Sequence, residues 1–116
     1  MSKPLGPYSP IVRAGDFLIV SGQGGMIDGK RVEGGVDAET RQALANLSAL
    51  LESEGASLGD VVKTTCFLID MDDFATFNAA YADVLGDHRP SRSTIAAKEL
   101  PAGFLVEIEA WAYVGD

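Results

Sequence analysis

One segment near the C-terminus constrains the fold more than any other. In the run Phe104 to Val114, the residues Val106, Ile108, Ala110 and Ala112 alternate with Glu107, Glu109, Trp111 and Tyr113. A period of two puts the four aliphatic side chains on one face of a β-strand and the two carboxylates and two large aromatics on the other. The aliphatic face requires a core to cover it. The opposite face suits neither a core nor plain solvent, and it predicts a subunit interface or a ligand site.

The rest of the chain supplies the covering layer. Asp16-Phe-Leu-Ile-Val-Ser21 reads as a buried strand followed by glycine turns at 22, 24, 25 and 29. From Asp37, a residue able to cap a helix, Ala43, Leu44, Leu47, Leu50 and Leu51 recur at three- and four-residue spacing up to a stop at Gly55. Val61 to Ile69 is β-branched and aromatic, hence a strand. Asp72 or Asp73 then caps a second helix bearing Phe74, Phe77, Tyr81, Val84 and Leu85, which Gly86 ends. A short strand, Arg92 to Ala97, and the turn Leu100-Pro-Ala-Gly103 lead into the final strand. With no repeat or linker, residues 1–116 predict one two-layer α+β domain, a mixed sheet with both helices on one face.

Charge excludes several function classes. Nine Lys and Arg stand against seventeen Asp and Glu, a net charge of -8, the wrong sign for phosphate backbones or anionic lipid. No apolar run approaches the ~20 residues that cross a bilayer, and Met1 to Pro10 lacks the apolar stretch of a signal peptide, so a cytoplasmic protein is expected. Cys66 is the one cysteine and His88 the one histidine, too few for an internal disulfide or a zinc site and poorly placed for a nucleophile pair. No metal and no organic cofactor is expected. Ser21-Gly22-Gln-Gly-Gly25 lacks the third glycine of the dinucleotide fingerprint and the Gly-Lys-Ser/Thr ending of a P-loop.

Four features could carry chemistry. Arg92 and Thr94 share a strand face, with Ile95 turned the other way toward the core, and a guanidinium fork suits a small carboxylate as well as a surface salt bridge. Glu107 and Glu109 share a face, where a partly dehydrated carboxylate could be a general acid or base, or a solvated strand charge. The prolines of Gly6-Pro-Tyr8-Ser-Pro10 could hold the Tyr8 hydroxyl, or simply form a loop. The glycines after Ser21 bring backbone N–H groups close to a ligand, or make the turn.

Gly6-Pro-Tyr-Ser-Pro10, Val20-Ser-Gly-Gln23, Thr40-Arg-Gln-Ala-Leu44 with Asn46-Leu47, Asp60-Val-Val-Lys-Thr-Thr65, Met71-Asp-Asp-Phe74 with Asn78, Arg89-Pro-Ser-Arg92 and Val106-Glu-Ile-Glu-Ala110 together resemble the RidA/YjgF signature from end to end. The resemblance implies a chorismate-mutase-like fold and a homotrimer with a central β-barrel and clefts between subunits. It further implies a cofactor-free hydrolase that deaminates reactive 2-imino acids and enamines to 2-oxo acids and ammonia. In that family Arg92 would bind the substrate carboxylate, Glu107 would orient or activate water, and Tyr8 would line the cleft with them. Ser21 and Gly22 would border it, Asn78 would lie near it, and Thr94 would stand where some relatives carry cysteine. Gly24-Gly25 replaces the Ile-Pro of well-studied deaminases, which removes apolar wall. The alternatives are a non-catalytic trimeric module binding small carboxylates or acting like a chaperone, and an endoribonuclease or translation inhibitor. Nucleic acid and membrane partners are not expected.

Overall fold

The computed structural model describes residues 4–116. In chain order the elements are β1 (Ile11–Ala14), β2 (Phe17–Gly24), β3 (Met26–Ile27), β4 (Lys30–Arg31), α1 (Gly35–Ser53), β5 (Val61–Leu68), α2 (Phe74–Leu85), β6 (Ser91–Ala96) and β7 (Val106–Tyr113). Five strands form a mixed sheet in the order β1-β2-β7-β5-β6, and β3 and β4 form a separate small hairpin. Only β5 and β6 run parallel, joined by the α2 crossover, as a parallel pair requires.

β7 lies at the centre of the sheet, and its alternation is as the sequence predicts. Val106, Ile108, Ala110 and Ala112 are at most 1% exposed. They are covered by α1, whose buried stripe of Val36, Ala43, Leu44, Leu47, Leu50 and Leu51 supplies the other half of the core. Burying a leucine of this kind contributes roughly 1.5–3 kcal/mol, so the α1 stripe is a principal source of stability. Phe77 and Tyr81 of α2 complete the layer.

Several local expectations need correction. α1 begins before Asp37, from Gly34 and Gly35, whose positive φ values turn the chain into the helix without a side-chain cap. Asp37 instead sits in the first turn, near the positive end of the helix dipole, and pairs with Arg41 at 3.2 Å. Asp73 stands at the N-cap of α2 as expected but makes no side-chain cap bond, and Asp70 caps the short 3-10 turn before it, its carboxylate accepting from Asp72 N at 2.8 Å. β2 runs on through Ser21 and Gly22 to Gly24, with a register shift between Val20 and Gln23 that the glycines permit. Ile95 does not enter the core. It is 52% exposed on the face away from the helices, and Arg92 and Thr94 are the residues that turn toward them.

The helix-free face of the sheet carries exposed apolar side chains beside the carboxylates of Glu107 and Glu109. Val12, Ile95, Trp111 and Tyr113 are exposed on it, with Phe17 packed edge-on against both aromatics. Among the described residues, no helix is long and apolar enough to cross a membrane.

Candidate functional site

β7 and β2 border an open cleft on the protein surface. Tyr8, Gly22, Met26, Pro101, Phe104 and Glu107 are among its walls. Glu107 projects from the helix-free face at a register position opposite Gly24 on β2 and Phe67 on β5. Gly22 makes room for it: a Cβ there would stand 2.6 Å from Oε2 of Glu107. A glycine in this place lets the carboxylate lie directly over strand backbone.

The Glu107 carboxyl is half-buried, and among the described residues it accepts no hydrogen bond. Burial first, and the charge of Glu109 second, hold its pKa above the usual carboxylate range. An unpartnered carboxylate with heightened proton affinity at the wall of a cleft can take a proton from water and return it.

Ser21 has a supporting task. Its hydroxyl donates to Ser9 O at 2.7 Å, and its N–H donates to Pro10 O at 2.9 Å. These bonds tie the Gly6–Pro10 loop, and with it Tyr8, to the edge of the cleft. The Tyr8 hydroxyl accepts from Leu5 N at 3.2 Å.

Arg92 lies elsewhere. Its strand partner Thr64 faces α2, where the Thr64 and Tyr81 hydroxyls share a hydrogen bond of 2.8 Å. The Arg92 guanidinium packs over three rings on one face of α2, 4.9 Å from Tyr81, 5.3 Å from Phe77 and 5.7 Å from Phe74. Spacings of three and four residues bring those rings to one side of the helix. Rings can steady the cation through its flat face, while the N–H groups at its edge stay free for a carboxylate. Among the described residues no acidic side chain pairs with it. Nearby elements carry two further unspent groups, since Asn78 Oδ1 on α2 and Thr94 Oγ1 on β6 are buried without hydrogen-bond partners.

The residues singled out from the sequence therefore form two groups. Tyr8, Gly22 and Glu107 line the cleft with Ser21 bonded to the loop at its edge, whereas Arg92, Thr94 and Asn78 gather at the β6 edge on the helix side. Thr64 and Phe67, the β5 partners of Arg92 and Glu107, are three residues apart and face opposite ways, so one chain does not bring the guanidinium and the carboxylate together.

Cys66 is fully buried in the core, where desolvation pushes its thiol up to about 11, and a ring nitrogen of His88 bonds Val61 O at 2.8 Å. Neither forms a nucleophile pair. No group of three or more His, Cys, Asp or Glu among the described residues could hold a metal.

Three residues of the cleft region have no role assigned from the sequence, although Asn46 falls within the family signature. Asn46 donates to Gly24 O and Met26 O and so fixes the turn between β2 and β3. Phe104 supplies apolar wall beside Gly24. Glu39, 1% exposed, accepts from Leu105 N at 2.8 Å. Glu39 had a legible signal, because it falls on the stripe of α1 that otherwise carries apolar side chains.

A small α+β domain whose last strand lays an unpartnered glutamate over a strand glycine is the arrangement found here, and comparison with known proteins gives it a family. This chain belongs to the Endoribonuclease L-PSP family, whose sequence profile matches residues 1–114. It is 46% identical over 114 residues to a RutC family protein of Pyrococcus horikoshii, covering 96% of this chain and 90% of that one. The mouse 2-iminobutanoate/2-iminopropanoate deaminase is 42% identical over 113 residues, covering 96% of this chain and 84% of the relative. The crystal structure of Escherichia coli TdcF with bound serine superposes with a TM-score of 0.91 at 33% identity, covering 97% of this chain and 91% of that one.

Proposed function

We propose that this protein hydrolyses small 2-imino acids, such as 2-iminopropanoate and 2-iminobutanoate and the enamine 2-aminoacrylate, to 2-oxo acids and ammonia. The observation that carries the reading is the Glu107 carboxyl, half-buried over Gly22 with no protein partner and a raised pKa. Relatives named as deaminases support the reaction class, and the serine bound to TdcF supports a small amino-acid-like ligand.

The chemistry needs positioning more than it needs an auxiliary reagent. The imine carbon is already electrophilic. Glu107 accepts a proton from water as the water oxygen bonds to C2 and returns it to the imine nitrogen, giving a neutral carbinolamine. Glu107 then takes the carbinolamine hydroxyl proton and passes it to the nitrogen as the C–N bond breaks, so that ammonia leaves and the C2 carbonyl forms. Arg92 holds the substrate carboxylate with its fork, Tyr8 and Gly22 bound the reacting centre, and Thr94 and Asn78 offer further polar contacts.

Arg92 and Glu107 point away from each other in one chain, so the site is completed by a second copy in a homotrimer of this small domain. The exposed apolar side chains of the helix-free face, Trp111, Tyr113, Ile95 and Val12, support that assembly. Light scattering is expected to give three times the 12.2 kDa chain mass. The activity itself is tested by generating the two imino acids in situ and following ammonia and 2-oxo acid. No acceleration over the uncatalysed reaction would leave only a carboxylate-binding role. Co-expression of Arg92→Ala and Glu107→Gln chains is expected to restore activity that neither variant has alone, because some interfaces then combine an intact Arg92 with an intact Glu107. Absence of any restoration in verified mixed oligomers would remove the two-protomer site.

A further inference from the structure

The cleft has a wall that the strand itself does not provide. Gly24 lines it without a side chain, and the space is filled by Phe104, from the loop that precedes β7. The two positions are matched: a Cβ on Gly24 would stand 2.3 Å from two carbons of the Phe104 ring, well inside van der Waals contact. The ring is only 4% exposed although it borders an open cleft, so its position is held from behind.

The holding device is a pair of side-chain bonds to the backbone on either side of Phe104, from the half-exposed Arg31 and the buried Glu39. In the 3-10 turn Pro101–Gly103, Ala102 has φ 56° and ψ 18° and Gly103 has φ 71°. A left-handed alanine is a conformation the surroundings must enforce. Arg31 of the β3–β4 hairpin donates to Gly103 O. Glu39 of α1 accepts from Leu105 N at 2.8 Å and lies 3.9 Å from Arg31 Nε. Phe104 is the residue between these two anchors. The Glu39 backbone in turn packs under Gly25, where a Cβ would stand 2.7 Å from its Cα. Glycines at 24 and 25 are thus matched to Phe104 and to Glu39 respectively.

We infer that Phe104 is a specificity-determining residue of the cleft, seated over Gly24 by the backbone hydrogen bonds of Arg31 and Glu39 on either side of it, and that its ring limits the length of the substrate side chain. Glu39 and Arg31 are positioning residues in this scheme, since they act on substrate only through the loop. The inference rests on the reading that this cleft receives the side chain of a small imino acid. A rigid aromatic wall discriminates by contact and exclusion, and one methylene is worth about 10-fold or more in such a pocket.

The test uses the full chain as wild type, Phe104→Ala, Phe104→Leu, Glu39→Gln and Glu39→Leu. Three-, four- and six-carbon straight-chain 2-imino acids, generated in situ, give kcat/KM. Calorimetric titration with the matching 2-oxo acids gives affinity independently of turnover. The six- to three-carbon ratio is expected to rise about 10-fold or more in Phe104→Ala and less in Phe104→Leu. Phe104→Leu decides the matter should the alanine variant fail to fold. Glu39→Gln is expected to keep the wild-type ratio, because its amide oxygen still accepts from Leu105 N–H, whereas Glu39→Leu relaxes the ratio with Phe104 untouched. Unchanged ratios in the folded Phe104 variants, or a wild-type ratio in Glu39→Leu, would overturn the inference. A wild-type protein that binds these acids without hydrolysing them overturns the proposed reaction alone, and the affinity ratios then decide this inference. One that binds none of them overturns both.

Discussion

Two arginine–glutamate sets lie within this fold, and they are used in opposite ways. Glu39 and Arg31 meet inside one chain, with the carboxylate 1% exposed, 3.9 Å from the guanidinium and bonded to Leu105 N. Glu107 and Arg92 lie on opposite faces of the sheet, and among the described residues neither has a charged partner of opposite sign. A buried charge ordinarily requires compensation, because desolvation otherwise disfavours the ionised form. The first set obeys that rule and fixes a loop. The second leaves its hydrogen-bonding capacity unspent, which is what a site requires if a ligand is to supply the missing partner.

The largest expected effect tests that difference at Glu107. Glu107→Gln keeps the shape and removes the base, so turnover should fall by about 10²- to 10⁴-fold while 2-oxo acids still bind. Stability should not fall with it. Folding raises the Glu107 pKa, so its favourable contribution is present below the unfolded pKa and is lost as pH rises through the folded value. At neutral pH the ionised carboxylate is therefore a cost that the amide removes. Thermal melts at pH 7 are expected to place the variant at or above wild type. A lower melting temperature would mean that Glu107, like Glu39, is a structural charge.

Arg92→Lys comes next. Lysine retains the charge but lacks the planar fork that the three α2 rings leave facing outward, so the affinity for 2-oxo acids should weaken by about 10- to 100-fold. Binding equal to wild type would show that only charge is read there.

Glu39→Leu should reverse the pattern. The side chain that accepts from Leu105 N is lost, leaving a partly buried donor unsatisfied and Arg31 without its carboxylate, at a cost of about 1–3 kcal/mol in urea unfolding. Glu39→Gln should recover most of that loss. A neutral Glu39→Leu would erase the distinction between the two sets.

The sequence makes one set far more readable than the other. Alternation in β7 and the three-four spacing in α1 show the layers, because burial on one face imposes a period on residue type. The same alternation places Glu107 on the unusual face. It cannot pair Glu107 with a partner, since pairing depends on strand order, and β7 lies between β2 and β5 although it is last in the chain. Ile95 was expected inside because isoleucine prefers a core; as the strand at the sheet edge, β6 turns Arg92 and Thr94 toward α2 instead. The loop anchored by Glu39 was hidden for a different reason. Its contacts join residues 31, 39, 103 and 105, and no local pattern records a contact across such separations. The glycines at 24 and 25 looked like a loss of wall, but their meaning depends on Phe104, which fills the space from the other end of the chain.

The smallest effect concerns the neighbour that shares the face of Glu107. Burial is the larger cause of the raised Glu107 pKa and the charge of Glu109 the lesser. General-base chemistry requires ionised Glu107, so kcat/KM should fall as pH drops through its pKa, with the midpoint of that acid limb above the ~4.3 of an ordinary glutamate. Glu109→Gln removes one like charge and leaves burial in place. The midpoint should move downward while remaining above the ordinary value, and the plateau rate at neutral pH should stay close to wild type. Two outcomes would each break the comparison between the charge sets. A midpoint that did not move would show that Glu109 is screened from Glu107 in the assembled protein. A plateau that collapsed would place Glu109 rather than Glu107 at the reacting atoms, since loss of a neighbouring charge shifts a titration without removing the base.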